Sequence, residues 1–179
     1  GLNHLSDLKE RQRGAKTSHL GLREGLDPRR LDQAGWGVVF ADVDRERRES
    51  LRVQLTPLLE LRREQAGRLY KEFEGVLPGE TKTAFLARHG MAPGPPNPGR
   101  VPYYLLLVAG PDQIPFVFQY ELDVQYAVGR LQFDCLGDYG EYARAVVAAE
   151  TGSCRRERSV SFVGVHNRGD RATQLSRTR

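Results

Sequence analysis

Cysteine is scarce: the 179 residues hold only Cys135 and Cys154. Two thiols make no disulfide framework, which excludes a small cross-linked scaffold and suits a reducing cytosol. Histidine is nearly as sparse, and His4, His19, His89 and His166 never cluster with the cysteines at metal-ligand spacing. The sequence therefore points to no zinc site and no cofactor. No apolar run approaches the ~18 residues of a membrane span, and no secretory leader is visible, so a membrane partner is not expected and the cytoplasm is. No internal repeat is present. The chain begins at Gly1 and ends at Arg179 after an apolar stretch and a loop, so both ends read as cut, by expression design or by proteolysis.

At 39% hydrophobic and 28% charged, the composition is that of a globular chain long enough for one domain or for part of a larger one. Its net charge of +4 is unevenly placed. Residues 155–179 carry seven arginines against Glu157 and Asp170, a net of +5. Residues 101–150 carry Arg130 and Arg144 against seven acids, a net of −5. A basic tail can serve nucleic acid or can simply be a solvated terminus. The arginines are not interleaved with a set of aromatics that would stack bases, so a nucleic-acid partner is not expected.

Residues 1–34 are polar with scattered leucines and read as an N-terminal extension, followed by one domain over 35–179. Residues 36–41, WGVVFA, form the first convincing strand, with Asp42 and Asp44 as turn and cap residues. Residues 46–73 carry an apolar stripe near period 3.6 and read as one helix, split or kinked at Pro57. Residues 81–88 predict a short helix ending at His89-Gly90. Residues 92–100, APGPPNPGR, hold four prolines that forbid sheet pairing and suggest a solvent loop or an insertion edge. Asp138 and Glu141 have capping-box spacing, predicting a helix from Asp138 to Glu150 with Tyr142, Ala145, Val146 and Ala149 inward. Residues 159–165, SVSFVGV, read as a further strand. Strand, helix, strand-rich stretch, helix, strand predicts an α/β fold, a three-layer α/β/α sandwich around a mostly parallel sheet, incomplete in this chain.

The most informative stretch is 101–130, VPYYLLLVAGPDQIPFVFQYELDVQYAVGR. Residues 103–108 are apolar on both faces, bounded by turns and too short for a helix, which marks a central strand covered on both sides. Residues 114–130 then read as a second aromatic, β-branched, strand-rich stretch. In open parallel sheets ligands bind beyond the carboxyl ends of the strands, so the turn at Gly110-Pro111-Asp112 is a candidate site edge.

LLLVAGPDQIP, then Asp123 and Tyr126, then Val128-Gly129-Arg130, resembles the pattern "LLVGD..IP, D..Y, GR" of gingipain-type cysteine peptidases in the caspase-like superfamily. It departs from the pattern in one place, where the acid after the strand is displaced to Asp112. The resemblance covers about residues 101–170. It implies a caspase-like sandwich and a cysteine endopeptidase activity on protein or peptide substrates. It also implies that the loop after the 159–165 strand supplies pocket residues. An arginine there selects an acidic residue before the cut and an acid selects a basic one; Arg168 and Asp170 are the candidates. A buried carboxylate receiving a guanidinium through two hydrogen bonds makes Asp170 a reasonable reader of Arg or Lys; the alternative is that Asn167, Gly169 and Asp170 only form a turn.

No catalytic pair is assigned within the chain. His89-Gly90 has the form of the superfamily's histidine motif, but it precedes the LLLVAG strand and follows a polar helix, where a glycine-capped helix end is the simpler reading. Cys135 lies between Asp134 and Asp138, which disfavour a thiolate; Cys154 beside Arg155 and Arg156 has a better setting but no partner histidine. The resemblance therefore implies that the catalytic His-Gly and cysteine lie beyond Arg179. Arg179 would itself be a processing site, and a carboxyl-terminal catalytic fragment of the same precursor would be the partner. The alternative is a non-catalytic caspase-like interaction or regulatory module.

Overall fold

The computed structural model describes residues 21–43 and 45–152. The chain divides into two compact units, Gly1–Val147 and Ala148–Arg179, and the account below is of the first. Among the described residues four strands form one sheet: β1 (Trp36–Phe40), β2 (Tyr70–Phe73), β3 (Tyr104–Val108) and β4 (Ala127–Leu131). Their order is β2-β1-β3-β4, and all three pairings are parallel. The α-helices among the described residues are α1 (Leu31–Ala34), α2 (Arg45–Ala66), α3 (Lys82–Arg88), α4 (Phe116–Asp123) and α5 (Leu136–Glu150).

Period-two alternation divides the strand side chains between two cores. Val39, Leu105 and Leu107 pack with Phe85, Phe118 and Leu122, under α3 and α4. Trp36, Val38, Phe40 and Val108 pack with Leu51, Leu55, Leu58 and Ala143, under α2 and α5. All five residues of β1 are buried, and β3 lies inside the sheet beside it. Both strands are continuous apolar runs, as a strand covered on both faces must be. The expected α/β/α layering around a parallel sheet is thus present.

The connection from β1 to β2 passes through α2 on one face. Those from β2 to β3 and β3 to β4 run the other way across the sheet, with α3 and α4 on the opposite face. A constant crossover hand requires that reversal. The switch point therefore falls between the carboxyl ends of β1 and β3.

Five local expectations are corrected. The helix expected over 46–73 stops at Ala66, followed by a 3₁₀ turn, Gly67–Leu69. Gly67 has φ +54°, a left-handed conformation that ends an α-helix. Tyr70 and Phe73 fit the helical stripe by spacing, yet 70–73 pairs with β1 as an edge strand. Glu72 pins that edge to α2: its carboxylate accepts from Tyr70 Oη at 2.7 Å and pairs with Arg52 and Arg63, each at 2.9 Å. Burial, and then the Glu72 carboxylate, push the Tyr70 phenol upward.

Pro57 does not split α2, which runs unbroken through it. The missing proline N–H leaves the carbonyl of Val53, an exposed residue, without its helical partner. Residues 116–123 are helix rather than strand, launched by Pro115, whose φ of −57° suits a first turn. Helix α5 begins at Leu136, two residues before the expected cap. Its buried face is Tyr139, Gly140 and Ala143, while Tyr142 and Ala145 are exposed. The proline-rich 92–100 segment is no solvent loop, since Pro95, Pro96 and Pro98 are all buried.

The 81–88 helix stands as expected. Thr81 caps it by accepting from the Ala84 N–H at 3.2 Å, and Gly90 at φ +76° closes it after His89. The 28–34 region is tied to the sheet through Tyr104 Oη, which donates to the Pro28 carbonyl at 2.9 Å. The expected strand over 159–165 lies outside the described residues.

Candidate functional site at the carboxyl edge of the sheet

Beyond β3 the chain turns tightly. Gly110 N–H donates to Gln113 Oε1 at 3.2 Å, and the Gln113 and Ile114 N–H groups donate back to the Gly110 carbonyl at 3.1 and 2.9 Å. A Cβ on Gly110 would overlap Asp112 Oδ1 and lie 3.0 Å from Gln132 Nε2. Gly110 thus lets the Asp112 carboxylate and the Gln132 amide close in on the strand end. Asp112 is exposed at the rim. Asp42 stands at the end of β1, beside Gly75.

Arg130 holds this edge together from beneath. Its Nη1 donates to the Ala109 carbonyl at 3.0 Å, and its Nε donates to Gln119 Oε1 at 2.9 Å. Its guanidinium lies 5.0 Å from the Phe116 ring centre. Nη2 is buried with no hydrogen-bond partner, and burial lowers the guanidinium pKa. Among the described residues no carboxylate pairs with it. Arg130 therefore locks β4 to β3 and α4 and does not present a free cation.

His89 is not at this edge. Its ring lies 4.6 Å from both Phe73 and Phe85 under α3, half-buried at the edge of the core. Nε2 is buried without a partner, and burial lowers the imidazole pKa, with Arg88 adding to the effect. Cys135 is exposed, just ahead of α5 on the other face of the sheet. The two therefore form no nucleophile–base pair. Of the sequence-derived site residues, only Asp112 is described; Arg168, Asp170 and Arg179 lie outside the described residues, as do Cys154, His4, His19 and His166.

Among the described residues, two of the clefts are large enough to consider. One, of about 590 Å³, runs between the first turns of α2 and Leu136, lined by Arg45, Glu49, Val53 and Gln54. The other, of about 480 Å³, flanks β2 and is lined by Lys71, Glu74, His89 and Arg100. Neither includes Asp112. Among the described residues no cluster of three His, Cys, Asp or Glu side chains could hold a metal ion, and no helix is long and apolar enough to cross a membrane.

Sequence reading missed Arg130 and Gln132 as parts of this edge. Both follow from strand parity: in β4, Val128 and Arg130 share the face under α4, and Gln132 continues past the carboxyl end. The α4 surface was missed as well, though Phe116, Tyr120 and Val124 recur every four residues.

The fold and edge define a layered α/β/α domain on a parallel sheet, with a polar rim at the switch point. Compared with known protein families, curated proteins and solved structures, the chain matches none of them.

Proposed function

We propose that this chain is the amino-terminal part of a caspase-like cysteine endopeptidase that cleaves after Arg or Lys. One observation carries the reading. The separate pieces of the gingipain-like pattern fold into a single β3–α4–β4 unit at the switch point, with Arg130 of the "GR" piece bonded to Ala109 of the "LLVAG" piece. The unit would supply the sheet and one wall of the cleft. The catalytic histidine and cysteine would come from a carboxyl-terminal fragment of the same precursor, following cleavage at Arg179. The cysteine attacks the scissile carbonyl, and the histidine donates a proton to the leaving amine. Asp170 would receive the substrate guanidinium through two charge-assisted hydrogen bonds, with Arg168 and Asp112 shaping the rim. The setting would be the cytoplasm and the substrate a protein or peptide.

The test is intact mass of the product of the full reading frame, together with cleavage of fluorogenic peptides ending in Arg, Lys or Asp. A co-purifying fragment starting after Arg179 and thiol-dependent cleavage after Arg or Lys are expected. Absence of any thiol-dependent cleavage overturns the reading. A second reading, a non-catalytic interaction module, is favoured by the apolar surface that α4 leaves uncovered.

A further inference from the structure

Helix α4 buries Phe118 and Leu122, yet it presents a second apolar stripe outward. Phe116, Val117, Tyr120 and Val124 are 49, 62, 64 and 58% exposed. Single exposed apolar residues are ordinary; three on one short helix and a fourth at its C-cap form a contiguous patch. The Phe116 and Tyr120 rings stack in parallel at 6.0 Å, which fixes part of the surface in advance of any partner.

At 3.6 residues per turn Glu121 falls on one flank of the stripe and Asp123 on the other. Both carboxylates are exposed, as is Asp112 just ahead of the helix, and none has an ion-pair partner among the described residues. Of the neighbouring cations, Lys82 donates from Nζ to the Glu121 backbone carbonyl at 3.0 Å and so binds the last turn of α4, and Arg130 is folded beneath Phe116; neither pairs with the Glu121 or Asp123 carboxylate. The patch is thus an apolar strip with acidic margins on a chain whose net charge is +4.

We propose that this face of α4 docks an amphipathic helix of a partner protein whose apolar stripe is flanked by Lys or Arg. The acidic margins select that chemistry. A second copy docked α4 to α4 would set carboxylates against carboxylates. An anionic bilayer would be repelled by the same margins. The proposal stands on α4 alone and does not depend on peptidase activity.

The test uses the full chain and two labelled synthetic helical peptides, one of Leu and Lys and one of Leu and Glu, with leucine at i, i+3, i+4 and i+7. Fluorescence anisotropy should show the Leu/Lys peptide binding at least about tenfold more tightly. Because the chain is itself cationic, that preference cannot come from net charge. The double variant F116S/Y120S should abolish binding, and so should V117S, which disturbs neither the ring stack nor Arg130. E121K/D123K should reverse the peptide preference. Equal binding by the parent chain and V117S, or no binding of the Leu/Lys peptide, overturns the proposal. So does self-association that V117S abolishes, which would make a second copy the occupant. Sedimentation of the chain with phosphatidylserine vesicles, lost in F116S/Y120S, would overturn it in favour of a lipid surface.

Discussion

The imidazole of His89 stands edge-on to the ring of Phe85, centroids 4.6 Å apart at 64°, with Phe73 at the same distance. The ring is half-buried at the wall of the cleft beside β2, and its Nε2 is buried without a hydrogen-bond partner. Burial, reinforced by Arg88, disfavours its protonated form and lowers its pKa from the ordinary 6.5. The unfolded chain, at the ordinary value, then binds more protons in the interval below 6.5. This contribution to stability is fully present above that value and is lost as pH falls through the lowered one. Urea midpoints measured at about pH 7.5 and about pH 5 should show it. H89F, which keeps a ring between Phe73 and Phe85, should flatten the difference. An unchanged acid slope in H89F would show that other groups carry it.

Arg130 makes two directed hydrogen bonds that lysine cannot make together, because only the planar guanidinium reaches both Gln119 and the Ala109 carbonyl. R130K should destabilise by about 1–3 kcal/mol, mostly through the acceptors it leaves unpaired. Amide exchange should accelerate at Val108 and Leu131, where β3 and β4 are paired. If stability falls while exchange there stays unchanged, the guanidinium is not what ties the strands.

How far the fold was legible depended on whether two signals agreed. β1 and β3 are continuous apolar runs between turn residues, and nothing competes with that reading, so strands and layering followed directly. Residues 70–73 failed because Tyr70 and Phe73 satisfy a helical stripe and a strand alike; the backbone break at Gly67 and pairing with β1 decided between them. Residues 116–123 failed for the opposite reason. Aromatic and β-branched residues mark strands by propensity, but packing of Phe118 and Leu122 onto β3 and β4 outweighs a preference worth only about 1 kcal/mol. At the candidate site the turn that holds Asp112 was legible because it follows a continuous apolar strand. Arg130 was not, because its role depends on a carbonyl 21 positions away in sequence.

Phe85 is fully buried, and its ring meets Phe73, His89 and Phe118. F85A should cost about 3–5 kcal/mol, because the edge-on ring contacts vanish and the rigid sheet beside them cannot collapse into the space. That is a large part of the ~5–15 kcal/mol that usually holds a domain together. Loss of a cooperative thermal transition, or a markedly lowered midpoint, is expected. A change below about 1 kcal/mol would mean that α3 can repack without the ring.

Pro57 lies in the interior of a 22-residue helix that carries on through it. Proline is worse than alanine there by about 3 kcal/mol in isolated helices. Val53, whose carbonyl loses its helical partner, is itself exposed, which lets water offset part of that cost. P57A should therefore stabilise the chain by about 1–2 kcal/mol, read as a higher urea midpoint at unchanged slope. A lower midpoint would show that the proline ring itself packs usefully against the domain.

Gly140 stands on the buried face of α5, where a Cβ would lie 2.5 Å from Gln54 Oε1 and 3.2 Å from Arg144 Nη1. Both neighbours are the far ends of flexible side chains, and Gln54 borders the cleft beside α2, so it has room to swing aside. Against that displacement stands the helix-interior gain of alanine over glycine, about 1 kcal/mol. G140A alone should change stability by less than about 1 kcal/mol, because the two effects oppose each other. In a Q54A background the obstruction is gone, and the same substitution should stabilise by about 1 kcal/mol. A double-mutant cycle on urea midpoints separates the two contributions. If G140A is strongly destabilising in both backgrounds, the close approach of α2 and α5 is set by backbone contact and not by the Gln54 side chain.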